Sequence, residues 1–346
     1  MPDPLVLVPD ARFGGGGQAM VDAFVDGARA LGRDAATASS GYVPGIDSLN
    51  QLWGGWRLAG RARRARSLWV VAAAASYGAA ALRADRPYAC WIATSLDEEW
   101  RARVGELSSG RRIAHAANAP LLLRLERDVL AGAAAVFGIS PASRDSLARA
   151  GGRPDVGVLP IPIDTEHFVP ERDGQWQKRL ERPTVVFVGR GDDPRKNVRL
   201  LLDAWPRVRE AVPDARLSLV GRRPPGVLPE GVESRGEVPD VAAELRACSL
   251  FVLPSRQEAF GIVAAEALAC GVPVVSTPSG GPEELLATSG GGRVTAGFEA
   301  EELATTVAQL LADAPQLLAM RAAGRAYVET EHSPARFRER LSPLLA

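Results

Sequence analysis

The stretch Pro254–Glu284, PSRQEAFGIVAAEALACGVPVVSTPSGGPEE, decides the reading of this chain. It opens with a turn and passes through Glu258-Ala-Phe-Gly into a segment of helical character that ends at Gly271. The short apolar run Pro273–Ser276 reads as a strand, and Gly280–Pro282 as a closing turn. A helix beginning after Gly261 presents unpaired N–H groups and the positive end of its dipole to an anion. Glu258 and Glu266 frame that point and are suited to accept hydrogen bonds from hydroxyl groups on either side of it. Eight residues of helix rise about 12 Å and turn the side chain by about 80°. With Glu258 on the loop, the two carboxylates therefore reach different ends of an extended ligand. A central anion flanked by hydroxyl-rich groups is the chemistry of a sugar nucleotide.

Upstream, Val185–Asn197 reads VVFVGRGDDPRKN. A strand ending at Gly189 places Arg190 just beyond its carboxyl end, where open α/β sheets bind ligands. Lys196 follows at the start of the next helix. The two cations suit a diphosphate leaving group, although a surface pair neutralising Asp192 and Asp193 has the same composition. Only Lys178 and Lys196 are lysine among 41 basic residues, so a lysine retained in this motif points to a required point charge. The arginine, alanine and glycine bias matches a GC-rich bacterial genome.

These segments belong to a repeating pattern. Short apolar runs at Leu5–Pro9, Ser67–Ala72, Tyr88–Thr94, Ala134–Ser140 and Val156–Ile161 alternate with helical periodicity. A second series starts at Thr184–Val188 and continues through Leu217–Val220, a strand near Val232 and Leu250–Leu253. Helices are expected at Ala300–Ala312, Pro315–Thr330 and Pro334–Leu344. With 346 residues, the pattern predicts an α/β protein of two Rossmann-like parallel domains facing across a crevice. The first domain is expected over 1–168, a polar linker over 169–182, the second domain over 183–332 and a C-terminal helix over 333–346.

Composition narrows the function. Lys+Arg and Asp+Glu each number 41, which excludes a globally basic nucleic-acid binder. The N-terminus lacks a basic, apolar leader. The weakly polar stretch Leu68–Leu82 is shorter than the roughly 20 residues that span a bilayer. Cys90, Cys248 and Cys270 show no metal spacing and sit in apolar surroundings, as in a reducing cytoplasm. The arginine- and tryptophan-containing 53–69 stretch fits either a peripheral membrane patch or a solvated helix with its tryptophans in the core. The glycines after the first strand, Gly15 and Gly16 among them, do not complete a dinucleotide fingerprint, which weighs against a nicotinamide oxidoreductase.

VGRGDDPRKN, then LVGRRP, then the E-x7-E pair Glu258 and Glu266 with AFGIVAAEALACGVPVVST and GGPE, together resemble the GT-B-fold retaining glycosyltransferases of family 4. The resemblance is strongest from Thr184 to Glu284. Upstream, Ile139-Ser140 and Leu159–Phe168 resemble the family's strand ends and interdomain linker. It implies that Arg190 and Lys196 bind the diphosphate, Glu258 the donor sugar and Glu266 the ribose. Phe260, Gly261, Ile262 and Val263 form the loop and helix start that face the diphosphate, Arg222 and the Gly236–Val238 turn lie near the base, and Gly15 and Gly16 meet the donor from the first domain. It also implies transfer with retention from a nucleoside-diphosphate sugar to a sugar, lipid or small-molecule hydroxyl. No cofactor and no metal are expected, since no D-x-D motif occurs and cationic side chains replace the ion. Many members carry a histidine after the strand matching Tyr88–Thr94. Here the residues are Thr94-Ser95-Leu96-Asp97, which leaves Asp97 as a candidate for proton handling or as a helix cap, with His115 a further candidate. A non-catalytic sugar-nucleotide-binding protein and a GT-B epimerase are the alternatives.

Overall fold

A computed structural model describes residues 3–9, 16–39, 47–104, 109–171, 176–222 and 226–346. Their chain divides into two compact units, 1–162 with 334–346, and 163–333.

The first unit holds six parallel strands: β1 (Leu5–Val8), β2 (Ala36–Ser39), β3 (Leu68–Ala72), β4 (Ala89–Ile92), β5 (Ala135–Gly138) and β6 (Val156–Val158), in the order β2-β1-β3-β4-β5-β6. Strand β3 is buried throughout, and an all-apolar run such as LWVVA suits a parallel strand covered on both faces. Phe24 packs on Trp69 with ring centroids 4.8 Å apart, and Trp91 on Phe337 at 5.3 Å. The buried indole N–H of Trp91 donates to the Leu159 carbonyl at 2.7 Å. Helix Pro334–Leu341 lies against helix Gly16–Ala30 so closely that a Cβ on Gly27 would sit 2.8 Å from the Phe337 ring. The last residues of the chain are thus part of the first unit's core.

The second unit also has six parallel strands: β7 (Thr184–Val188), β8 (Arg216–Val220), β9 (Val232–Gly236), β10 (Leu250–Leu253), β11 (Val274–Ser276) and β12 (Gly292–Val294), ordered β12-β11-β10-β7-β8-β9. Val185, Phe187, Leu217 and Leu219 point to the face covered by helix Val198–Ala211, whose Trp205 is fully buried.

Several details differ from the sequence reading. Strands β2 and β12 were not expected. Both are edge strands, ATAS and GRV, and carry too little apolar pattern to announce themselves. Helix Ser109–Gly132 runs continuously through Pro120, where a break is the usual outcome. Of the 169–182 segment, expected as a linker, the described residues 169–171 and 176–182 belong to the second unit. Trp176 is buried in that core, Glu171 pairs with Arg179 at 2.5 Å, and the division falls instead between Pro162 and Ile163. Of the Arg/Trp-rich stretch, Trp69 is a core residue. Trp56 is 74% exposed, and the side chain of Trp53 lies outside the described residues.

Candidate functional site

The carboxyl ends of β7, β8 and β10 bring most of the predicted residues together within the second unit. Gly189 closes β7 by donating to the Val220 carbonyl at 2.9 Å. This close approach requires Gly221, at φ +128°, because a Cβ there would lie 1.9 Å from the Gly189 oxygen. The chain then turns through Asp193, whose buried carboxylate caps the short 3-10 turn Pro194–Lys196 by accepting from the Arg195 amide at 3.1 Å. The same carboxylate pairs with Arg190 at 2.5 Å and with Arg195 at 2.8 Å. Arg190 is thus held by Asp193, the pairing that its composition also allowed, while half of its side chain stays open to solvent.

Lys196 reaches across to the loop after β10. Its Nζ lies 2.6 Å from Glu258 Oε1, which also accepts from Ser255 Oγ at 2.6 Å. The Arg256 amide donates to the Arg195 carbonyl at 2.7 Å and ties the two loops together. Glu258 is fixed on its other side, its N–H donating to Ser279 O at 2.7 Å and its carbonyl accepting from Gly281 N at 3.0 Å. Gly281 has no room for a side chain: a Cβ would sit 2.4 Å from Phe260 Cα. The Gly280–Pro282 turn therefore buttresses the Glu258–Phe260 loop directly.

Helix Ile262–Ala269 starts at Gly261, in the left-handed region at φ 83°, and no side chain caps it. The N–H groups of Ile262 and Val263 are accordingly the orphan donors of a helix start. Glu266 is on the second turn with no charged or hydrogen-bonding side-chain partner among the described residues. Its burial pushes the carboxyl up to about 7. Ser279 Oγ, beside Glu258, is buried with no hydrogen-bond partner. Arg222 pairs with Glu237 and so joins the loops that follow β8 and β9.

Sequence reasoning did not name Ser255, Ser279 or Glu237, and it gave Asp193 only as the acid a surface ion pair would neutralise. Asp193 and Ser255 lie inside quoted motifs, yet only the fold shows which carboxylate each neighbour holds.

In the first unit, Gly16 begins helix Gly16–Ala30, while Gly15 and the side chain of His115 lie outside the described residues. Asp97 is not the cap of its helix, Leu96–Val104. Ser95 Oγ accepts from the Glu98 amide at 3.4 Å, and Asp97 pairs with Arg101 at 2.7 Å on the solvent side. The cap comes two residues earlier, at Ser95, whose hydroxyl also receives a bond from Ser146. A residue not foreseen, Glu126, is 1% exposed and accepts the Leu96 N–H at 3.1 Å on both oxygens. Burial pushes its carboxyl up to about 8, with the Leu96 and Ala75 amides acting in the opposite direction. The sequence signal was a lone acid on the otherwise apolar side of LLLRLER. His167 faces Asp240 at 3.4 Å.

Among the described residues no group of three or more His, Cys, Asp or Glu side chains is arranged to hold a metal ion. No helix among them is long and apolar enough to cross a membrane.

Residues 182–313 match the family model of the group 1 glycosyl transferases. Over 271 residues the chain is 31% identical to a GDP-mannose-dependent alpha-(1-6)-phosphatidylinositol monomannoside mannosyltransferase of Mycobacterium tuberculosis, covering 62% of this chain and 70% of that one. The chain belongs to the group 1 glycosyltransferases. This group 1 glycosyltransferase is also 34% identical, over 218 residues, to a GDP-mannose-dependent monoacylated alpha-(1-6)-phosphatidylinositol monomannoside mannosyltransferase of Corynebacterium glutamicum. That match covers 56% of the group 1 chain and 57% of the relative, so the chain spans little more than half of the corynebacterial protein's length. The solved sucrose-phosphate synthase of Thermosynechococcus elongatus superimposes with a TM-score of 0.80 at 19% identity, covering 99% of this chain and 97% of that one. The fold of the glycosyltransferase is GT-B, two Rossmann-like α/β domains.

Proposed function

We propose that the protein is a retaining, metal-independent glycosyltransferase that moves a sugar from a nucleoside-diphosphate sugar to a hydroxyl acceptor. The observation that carries this reading is the meeting of Lys196, Ser255 and Glu258 beside the uncapped helix start at Ile262. Arg190, Lys196 and the Ile262 and Val263 N–H groups supply positive potential for a diphosphate, so the charge that develops on the departing phosphate is met by fixed donors. Glu258 accepts from the sugar hydroxyls and Glu266 from the ribose. The anomeric carbon–phosphate oxygen bond breaks as the bond to the acceptor oxygen forms on the same face, and the acceptor proton passes to the leaving phosphate oxygen. Cationic side chains take the part that a divalent ion plays elsewhere.

The relatives' names make GDP-mannose the first donor to test and a phosphatidylinositol mannoside the first acceptor. A peripheral position on the cytoplasmic face of the membrane fits such an acceptor. Helix Asp47–Arg64 supports it by exposing Arg57, Arg61, Arg63 and Arg64 together with Trp56. The test is incubation of the protein with GDP-, UDP- and ADP-sugars and acceptor lipid, with and without EDTA, following nucleotide release and the anomeric configuration of the product by NMR. Turnover that survives EDTA with an α-linked product from an α-donor supports the proposal. Tight donor binding with no transfer and no hydrolysis overturns it in favour of a binding protein.

A further inference from the structure

The second unit has a groove at the end of its sheet opposite Lys196 and Glu258. The crossover from β7 to β8 is helix Val198–Ala211, which covers one face. Between β8 and β9 the described residues contain no helix. The crossover from β9 to β10 is the seven-residue helix Val241–Ala247, only about 10 Å long. That is too short to cover three strands, so the face opposite Trp205 stays open near the strand starts.

A cavity of about 690 Å³ results, within the range of small-molecule sites. In parallel register Val186 pairs with Ser218, and Ser218 with Glu233, so these residues share the open face. The lining is polar and rich in arginine: Arg182, Arg209, Arg216 and Arg235. Arg235 is pinned by Glu233 at 3.1 Å and Glu244 at 3.2 Å. Arg209 crosses Gly231, where a Cβ would meet its guanidinium at 2.4 Å, and reaches Glu230 at 3.3 Å. Arg182 and Arg216 make no ion pair or side-chain hydrogen bond among the described residues.

A second observation is independent of charge. Ser218 lines the cavity, is 8% exposed, and its Oγ is buried with no hydrogen-bond partner. A buried hydroxyl left unsatisfied is costly, and native structures resolve most such groups with a partner. Arg182, Arg216 and Ser218 line this one cavity, and both guanidinium forks and the hydroxyl are donors suited to an anion.

The geometry points to a second ligand site here, for the phosphate group of a small phosphorylated molecule, separate from the donor site. Phosphate fits better than a carboxylate because it offers oxygens in three directions, toward two separate guanidinium groups and one hydroxyl. Asp214 is the acidic lining residue without a partner among the described residues, and it opposes this binding.

Isothermal titration of the full chain with inorganic phosphate and with glycerol 3-phosphate tests the proposal, alongside sedimentation with vesicles of phosphatidylcholine, with or without phosphatidic acid. Arg182→Ala/Arg216→Ala is expected to weaken phosphate binding at least tenfold, and Asp214→Asn to strengthen it. Ser218→Ala is expected to weaken binding while leaving the melting temperature of the ligand-free protein unchanged or raised, since it deletes an unsatisfied group. Titration with GDP should be the same in all variants. Binding of the soluble phosphates identifies a free metabolite. Binding only to phosphatidic acid vesicles, lost in the double variant, identifies a lipid phosphate. The proposal is overturned if none of these phosphates binds at about 10 mM, the weak end of specific affinity, or if the double variant binds them as the wild type does.

Discussion

Replacing Lys196 by Met keeps the aliphatic stem and removes the charge facing Glu258. The pair is 2.6 Å apart, with side chains only 20% and 14% exposed. Two unit charges at that distance attract by ~6 kcal/mol at an effective dielectric constant near 20, against which desolvation of both must be set. Removing one partner of a fully buried pair costs about 3–5 kcal/mol, because the other is left uncompensated. Residual exposure and the Ser255 hydroxyl soften that, so about 2–3 kcal/mol is expected for Lys196→Met. With a urea m-value near 2 kcal/mol/M, the unfolding midpoint should fall by about 1 M. Glu258→Gln should cost less, since the amide still accepts from Ser255 and leaves only a partly exposed ammonium. The double variant should recover most of the loss, giving a coupling near 2 kcal/mol in the cycle. Nucleotide-sugar turnover should drop by 10²–10³ in Lys196→Met, the usual effect of losing one donor to the developing charge, and should not recover in the double variant. Additive stability losses, with coupling near zero, would refute the idea that Lys196 and Glu258 form one unit.

Other perturbations probe different parts of the same framework. Gly281→Ala forces a Cβ to 2.4 Å from Phe260 Cα, so donor affinity should fall at least tenfold in a calorimetric titration, with a smaller loss of melting temperature. Glu126 has its folded carboxyl raised from 4.5 to about 8, so between those values the folded state holds a proton that the unfolded chain has released. Its stabilising contribution is full below about pH 4.5 and is lost as the pH rises through 8, by up to ~4–5 kcal/mol. Urea midpoints at acid, neutral and alkaline pH should show a slope that Glu126→Gln flattens, and an unchanged slope would be the contrary result. Phe337→Ala removes the ring packed on Trp91 and should cost about 3–4 kcal/mol, measured by thermal unfolding.

The α/β alternation, most strands and the residues that meet at the carboxyl ends of β7, β8 and β10 were legible in the residue order. Buried parallel strands are short all-apolar runs, and an anion site at a strand end needs glycine, a helix start and cations at near-fixed spacing. What was missed had no such local mark. Strands β2 and β12 are edges whose sequence need not be apolar. Asp97 had the right type for a cap, yet Ser95, held by the Ser146 hydroxyl, takes that place, and only the fold brings Ser146 to it.

For the stretch Pro254–Glu284, the sequence by itself determined the strand–loop–helix order, the two carboxylates and the glycines that let the backbone turn. The tertiary structure alone decided that Lys196, 62 positions earlier, is the partner of Glu258. It also decided that Asp193 holds Arg190, and that Ser218, Arg182 and Arg216 line one groove at the far end of the same sheet. The physical reason is range. Helix starts, turns and strands are set by neighbours along the chain, whereas the pairing of charges depends on which strand ends the sheet order brings side by side.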